Sequence, residues 1–91
     1  MEVRWSPEAA DDLERIVQYI QGDSPEVALK VAASIIDAVG ELNTFPKRGR
    51  VGRIEGTREL VIDRLPWIAV YRVRDNAVEV ARIYHGAQNW P

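Results

Sequence analysis

The chain has 91 residues and a mass of 10.3 kDa, which allows one compact domain, because two smaller cores would each bury too little apolar surface to fold. A composition of 46% hydrophobic and 29% charged residues, with a mean hydropathy of -0.25, excludes a disordered or membrane-embedded chain. The absence of cysteine excludes disulfides and thiolate metal sites. With no signal-peptide pattern at the start, we expect a cytoplasmic protein without membrane partners.

Charge is distributed unevenly along the chain. Residues 1–45 contain nine acidic and three basic residues, for a net charge of -6, whereas residues 46–91 contain five acidic and nine basic residues, for a net charge of +4. Such a division is typical of a second half that faces a polyanion or an acidic partner. It is equally typical of two faces that attract each other within the fold, and the sequence alone leaves both interpretations open.

The first half of the chain predicts a short strand followed by two helices. Residues 2–5 alternate polar and apolar side chains, as a half-buried strand does. Ser6-Pro7 and Ser24-Pro25 are typical helix starts, since serine caps a free backbone N–H and proline lacks one. Apolar residues then recur every three or four positions, which predicts helices over 7–21 and 25–43. Their short connection predicts an antiparallel helical hairpin.

The second half predicts a loop and three strands. Residues 47–53 are basic, spaced by glycines and without periodicity, which predicts an irregular, flexible loop. Asp75-Asn76 are turn residues between two β-branched and aromatic runs, which predicts a hairpin. The predicted strands span 57–62, 67–74 and 77–84. The order β-α-α-β-β-β therefore predicts an α+β fold, in which the helical hairpin packs on a small, mainly antiparallel sheet.

Several side chains of the second half could supply RNA-cleaving chemistry. Cleavage by attack of the RNA's own 2'-hydroxyl needs a general base, a general acid and cations beside the phosphate. A histidine titrates near neutral pH and suits either proton-transfer role, although a single histidine is more often an ordinary hydrogen-bonded residue. Arginines on a sheet are usually solvated or paired with acids. The candidate catalytic residues are Arg58, Glu59, Arg72, Tyr84 and His85.

No metal or cofactor is predicted. One histidine, no cysteine and scattered carboxylates give no cluster of ligands at a recognisable spacing. Gly49 and Gly52 lack the helix and lysine pattern that a phosphate-binding glycine loop requires.

Short motifs along the whole chain together carry a family resemblance. They are Trp5-Ser6-Pro7-Glu8-Ala9, Asp12-Leu13, Tyr19-Ile20, Phe45-Pro46 with Gly49-Arg50, Gly56-Thr57-Arg58-Glu59-Leu60, Val70-Tyr71-Arg72-Val73 and Tyr84-His85-Gly86-Ala87-Gln88. With these motifs the chain resembles the RelE/ParE superfamily of bacterial toxins, closer to ParE. The resemblance implies the toxin of a type II toxin-antitoxin system and growth arrest when it is free. It also implies a ParD-like or RelB-like cognate antitoxin encoded beside it, bound in a hetero-oligomer in the cytoplasm.

The resemblance also bears on mechanism, since RelE-like members cut messenger RNA on the ribosome and ParE-like members inhibit DNA gyrase. Where the RelE-like pattern has two lysines and two arginines, this chain has Glu59, Val61, Ile68 and Gln88, and no helix with a late tyrosine precedes Pro91. A sequence pI near 5.3 also disfavours binding to a polyanion. The expected function is therefore gyrase poisoning without catalysis. The alternatives are a ribosome-dependent mRNA endonuclease and a non-toxic protein-binding relative.

Two contact surfaces are expected under this resemblance. An amphipathic antitoxin segment is expected to pack on the helical hairpin through Leu13, Val17, Tyr19 and Ile20. The surface that meets the target is expected in the basic loop, the far end of the sheet and the tail, at Arg48, Arg50, Arg53, Arg58, Arg82, His85 and Trp90. A large aromatic residue such as Trp90 near a terminus is either an anchor on the protein's own core or an interface hot spot.

Overall fold

The computed structural model describes all 91 residues and contains two helices packed on a five-stranded sheet. The elements are β1 (Glu2–Trp5), α1 (Pro7–Gln21), α2 (Pro25–Gly40), a 3-10 turn (Glu41–Asn43), β2 (Arg50–Val51), β3 (Arg58–Val61), β4 (Trp67–Arg74) and β5 (Ala77–His85). The strand order is β1-β5-β4-β3-β2, with β1 parallel to β5 and all other pairs antiparallel. This architecture confirms the predicted α+β fold. Neither helix is long and apolar enough to cross a membrane.

Both helices begin where the Ser-Pro pairs predict. The Ser6 hydroxyl accepts a hydrogen bond from the Ala9 N–H at 3.0 Å, and the Ser24 hydroxyl accepts one from the Val27 N–H at 3.3 Å. α2 ends at Gly40, three residues before the predicted end, and the chain continues as a single 3-10 turn. This tighter turn still buries Leu42 completely, which explains why the apolar pattern continues beyond the α-helix.

The main core lies between the helices and one face of the sheet. α2 contributes Ile35 and Val39, both fully buried, and these belong to one apolar cluster with Tyr71 of β4 and Val80 of β5. α1 adds a stripe of partly buried side chains, which are Leu13, Ile16 and Ile20. The helical hairpin therefore packs through the faces that the three-and-four periodicity predicts.

The sheet surface opposite the helices is here called the open face. A bulge in β5 decides which side chains of that strand lie on it. Val70 pairs with Arg82 but Tyr71 pairs with Val80, so Ala81 is an extra residue between them. Beyond the bulge, Ile83 packs in the main core, whereas Tyr84 belongs to a second apolar cluster with Val70. The open-face side chains include Arg4, Glu59, Ile68, Val70, Arg72, Arg74, Glu79, Arg82 and Tyr84.

The basic segment 47–53 is not the irregular, flexible loop that its composition predicts. It contains the short edge strand β2, paired with β3, and it is held by the hydroxyl of fully buried Tyr71. That hydroxyl accepts a hydrogen bond from the Gly49 N–H at 2.9 Å and donates one to the Pro46 carbonyl at 2.7 Å. A Cβ on Gly49 would lie 2.7 Å from the Tyr71 ring, so the glycine is required for this close approach.

We expect Tyr71→Phe to lower the free energy of unfolding by about 1–2 kcal/mol, because it leaves the Gly49 N–H and the Pro46 carbonyl without their partner. Urea denaturation followed by circular dichroism measures this loss. Tyr19→Phe is the matched control, since Tyr19 is 81% exposed on α1. An equal loss in both variants, or none in Tyr71→Phe, would contradict the role of this hydroxyl.

Candidate functional site

The tail of the chain folds back over the open face. The Trp90 ring stacks on the Tyr84 ring, with centroids 5.1 Å apart and planes inclined by 16°. Beneath this stack Ile68, Val70 and Tyr84 form the second apolar cluster, against which Trp90 packs. Trp90 therefore anchors the tail on the open face rather than on the main core, and it remains partly exposed there.

Two arginines hold Trp90 in place. The Arg53 guanidinium donates a hydrogen bond to the Trp90 carbonyl at 2.7 Å. The Arg82 guanidinium carbon lies 5.7 Å from the centroid of the Trp90 ring, within the range of a cation-π contact. The His85 N–H also donates to the Gln88 side-chain oxygen at 2.6 Å, which shapes the turn leading to the tail. The result is an aromatic side chain surrounded by positive charge.

Glu59 is the buried carboxylate of this region and is only 2% exposed. Its Oε1 accepts hydrogen bonds from Nε and Nη2 of Arg50 at 3.1 and 3.0 Å, and its Oε2 accepts one from the Arg53 N–H at 3.0 Å. Burial alone would raise the pKa of Glu59, but the hydrogen bonds from Arg53 and Arg50 and their charges outweigh it and hold the pKa below its usual value. Glu59 is thus ionised, and both of its carboxylate oxygens accept hydrogen bonds from the basic segment.

Tyr84 lies deep in the same region. Its side chain is 5% exposed, and neither its hydroxyl nor the Trp90 Nε1, both buried, has a hydrogen-bond partner. Burial, followed by the negative charge of Glu59, raises the pKa of Tyr84. Tyr84 is therefore a neutral phenol, and its burial beneath the Trp90 ring leaves it poorly accessible to a substrate.

Asp12 of α1 joins the helix to the exposed edge of β5. β1 pairs with β5 only as far as Val80, and beyond it the Ile83 N–H donates to the Asp12 carboxylate at 2.9 Å. Arg82 donates two hydrogen bonds to the same carboxylate, at 2.8 and 3.0 Å, which raises the pKa of Arg82. The sequence indicated for Asp12 only a favourable position near the start of a helix. Its pairing with a residue seventy positions away has no local sequence signal.

The five candidate catalytic residues are divided between the two faces of the sheet. Glu59, Arg72 and Tyr84 belong to the open face. Arg58 pairs in register with core-facing Tyr71, and its guanidinium donates to the Gly49 carbonyl at 2.8 Å. The His85 ring contacts the edge of Trp67, with centroids 5.8 Å apart, and its Nδ1 accepts a hydrogen bond from the Ala87 N–H. The five do not converge on one point.

The residues predicted to bind the target are also separated. Arg53 and Arg82 contact Trp90 at the open face, and Arg50 pairs there with Glu59. Arg48 instead pairs with Glu41 and lies over the Phe45 ring, at the end of α2. Arg58 is tied to backbone carbonyls of the basic segment, and His85 lies at the end of β5 beside the tail.

The residues predicted to bind an antitoxin lie in three different environments. Leu13 and Ile20 are partly buried against the main core. Val17 and Leu13 line a largely apolar groove of about 610 Å³ between α1 and Ile36 of α2. Tyr19 is 81% exposed and does not line this groove. The structure contains no group of three or more His, Cys, Asp or Glu side chains that could bind a metal ion.

Comparisons with known proteins agree with this architecture. Residues 3–90 match the family model described as ParE toxin of type II toxin-antitoxin system, parDE. A relative in Sinorhizobium fredii, named as toxin Y4kP, is 42% identical over 89 residues, covering 98% of this chain and 92% of the relative. Toxin RelE2 of Caulobacter vibrioides is 36% identical over 87 residues, covering 96% and 97%.

Two solved structures are similar in fold and sequence. One is described as the chromosomal ParDE toxin-antitoxin system from P. aeruginosa, with a TM-score of 0.85 and 32% identity, covering 93% of this chain and 95% of the other. The second is the RelBE2 toxin-antitoxin complex from Mycobacterium tuberculosis, with a TM-score of 0.62 and 27% identity, covering 92% and 95%. The two helices on a mixed five-stranded sheet are thus the fold of RelE/ParE-like toxins. The chain belongs to the ParE toxin family of type II toxin-antitoxin systems.

Proposed function

We propose that this toxin binds DNA gyrase and poisons its cleavage and resealing cycle, in the cytoplasm, without catalysing a reaction itself. The observation that carries the proposal is the state of Glu59. It stands where the RelE-like pattern has a lysine, and both its oxygens accept hydrogen bonds from Arg50 and Arg53. A nuclease needs a free general base, whereas here Arg50 neutralises the only carboxylate among the candidate catalytic residues.

The proposed contact surface is centred on Trp90. A tryptophan in contact with Arg53 and Arg82 has the composition of an interface hot spot, in which aromatic residues and arginine are enriched. The ring is held in place before any partner arrives, so little side-chain entropy would be lost on binding. His85 extends this surface at the end of β5.

A cognate antitoxin is the second proposed partner. The groove along α1, with Leu13, Val17 and Ile36, suits the apolar face of an amphipathic helix. Leu29 of α2 is 72% exposed and Tyr19 of α1 is 81% exposed, so apolar surface is also available on either side of the helical hairpin. Burial of these side chains would supply about 25 cal/mol per Å² of apolar area before ordering costs.

A supercoiling assay with purified gyrase and relaxed plasmid tests the proposed target. The toxin is expected to inhibit supercoiling and to trap cleaved DNA. Trp90→Ala is expected to raise the inhibitory concentration about tenfold or more, as the loss of a hot-spot residue does. Arg64→Gln is the control, because Arg64 is 92% exposed in the turn between β3 and β4. Thermal unfolding of each variant shows that the fold is retained.

Two other outcomes would reject the gyrase proposal. Cleavage of mRNA in a translating extract, with supercoiling unaffected, would identify a ribosome-dependent nuclease. Normal colony counts during abundant expression of folded protein, with neither gyrase inhibition nor mRNA cleavage, would identify a non-toxic protein-binding relative.

A further inference from the structure

A second cationic feature lies on the open face, at the end of the sheet away from Trp90. It is a cleft of about 290 Å³ between the end of β1 and the neighbouring residues of β4 and β5. Its lining includes three arginines, one carboxylate and the strand residues Trp5, Val80 and Ala81. The charged residues of the cleft are Arg4, Arg72, Arg74 and Glu79.

Sheet register brings these charges together. Glu79 of β5 is directly opposite Arg4 of β1 on one side and Arg72 of β4 on the other. The Glu79 carboxylate accepts its hydrogen bond from neither of them, but from the Arg74 Nε at 2.9 Å. Arg4 instead pairs with Glu2 at 2.9 Å. Glu79 and Glu2 thus pair with Arg74 and Arg4, and neither pairs with Arg72.

Arg72 is the arginine of the cleft that has no ion-pair partner. It is partly buried, its guanidinium donates no hydrogen bond within the protein, and no carboxylate lies within 4.0 Å of it. Two neighbouring arginines add repulsion. Arginine presents a planar set of donors that can bind both oxygens of a carboxylate. Arg72 is therefore available to bind a carboxylate of another molecule in this way.

The other walls of the cleft narrow the choice of ligand. Val80 is fully buried and Trp5 packs against the main core, so the charged side chains decide what the cleft can bind. Glu2 and Glu79 near the cleft would repel a run of phosphates more strongly than a single carboxylate, so they disfavour a nucleic acid. A cleft of this volume also takes one or two side chains rather than a continuous backbone.

We propose that this cleft binds an acidic segment of the cognate antitoxin, with a carboxylate on Arg72. The proposal rests on the proposed function only in taking an antitoxin as the partner, and it is independent of the toxin's target. It adds an electrostatic contact on the sheet to the apolar contact proposed for the helices. Such a contact contributes mainly to the rate of association and to the choice of partner.

Binding of purified full-length antitoxin to the immobilised toxin, followed at low and high salt, tests this contact. Arg72→Gln is expected to raise Kd about tenfold at low salt and much less at high salt, because the lost contact is ionic. Arg64→Gln removes the same charge from a distant exposed site and is expected to leave Kd unchanged. Arg72→Lys, which keeps the charge but not the planar donors, is expected to fall between the wild type and Arg72→Gln.

A double-mutant cycle identifies the acidic partner residue. Neutralising each Asp and Glu of the antitoxin in turn is expected to reveal one whose effect is not additive with Arg72→Gln. Additivity for all of them, or equal losses in Arg72→Gln and Arg64→Gln, would overturn the proposal. So would loss of affinity for a short DNA duplex in Arg72→Gln with antitoxin affinity unchanged. The assay contains no gyrase, so its failure is distinct from a failure of the target proposal.

Discussion

Replacing Asp12 with alanine is expected to lower the free energy of unfolding by about 3 kcal/mol, the largest effect of any single polar side chain in this protein. The carboxylate is 8% exposed and accepts three hydrogen bonds, two from Arg82 and one from the Ile83 N–H. Without it, a buried backbone donor and a partly buried cation lose their partner together. Urea denaturation of the purified toxin, with ellipticity as the signal, measures the change.

The neighbouring residue offers a close control for this experiment. Asp11 is exposed on the same helix and forms no ion pair, so Asp11→Ala removes an equal charge from nearly the same place in the helix. We expect its free energy of unfolding to stay within about 0.5 kcal/mol of the wild type, as for most surface substitutions. If the two variants lost the same stability, the effect would belong to the helix dipole and not to the link between α1 and β5.

Replacing Glu59 with glutamine is the second large change, with an expected loss of about 2–3 kcal/mol. The substitution keeps the size of the side chain but removes the charge that receives the Arg50 guanidinium and the Arg53 N–H. Because Arg53 also donates to the Trp90 carbonyl, we expect the tail to loosen as well. Stability is measured by thermal unfolding, and tail mobility by tryptophan fluorescence quenching with acrylamide.

Glu55→Gln is the matched control for Glu59→Gln, since Glu55 is exposed in the turn before β3 and pairs with no cation. It is expected to match the wild type in both measurements. A Glu59→Gln protein as stable as the wild type would show that the ion pair contributes no net stability.

The pH dependence of the stability difference between the wild type and Glu59→Gln provides an independent test of the role of Glu59. The pKa of Glu59 is lower in the folded protein than in the unfolded chain, where it is about 4.3. The stability that ionised Glu59 contributes is therefore fully present at a pH above its pKa in the unfolded chain. This stability is lost as the pH falls through the pKa of Glu59 in the folded protein. The stability gap between wild type and Glu59→Gln should be constant from neutral pH down to about 5 and then close in more acidic solution. A gap that widens on acidification would contradict the assigned ionisation of Glu59.

Local patterns predicted the secondary structure because the forces that set it act over a few residues. Ser6-Pro7 and Ser24-Pro25 mark helix starts through bonds to residues three positions away. Asp75 and Asn76 both adopt positive φ, at 54° and 58°, which is the geometry of a tight hairpin turn and is tolerated by these two residue types. The predicted strand 67–74 is observed without change, and the strand after the turn extends one residue further, to His85.

The basic segment shows where composition was misleading. Glycines and arginines without periodicity predicted a flexible loop, but the buried hydroxyl of Tyr71 and the carboxylate of Glu59 fix it from the sheet. Both side chains lie on strands that follow the segment in the chain. No pattern within 47–53 indicates that such partners exist.

The sequence by itself determined the fold class, the helix starts, the hairpin and the family, since these depend on periodicity, capping and short motifs along the chain. Only the tertiary structure decided which charges remain free. Of the arginines on the open face, Arg4 pairs with Glu2, Arg50 with Glu59, Arg74 with Glu79 and Arg82 with Asp12, and Arg53 donates to the Trp90 carbonyl, whereas Arg72 has no partner. The reason is that an ion pair depends on distance in space, and register, the bulge at Ala81 and helix docking set that distance between residues up to seventy positions apart.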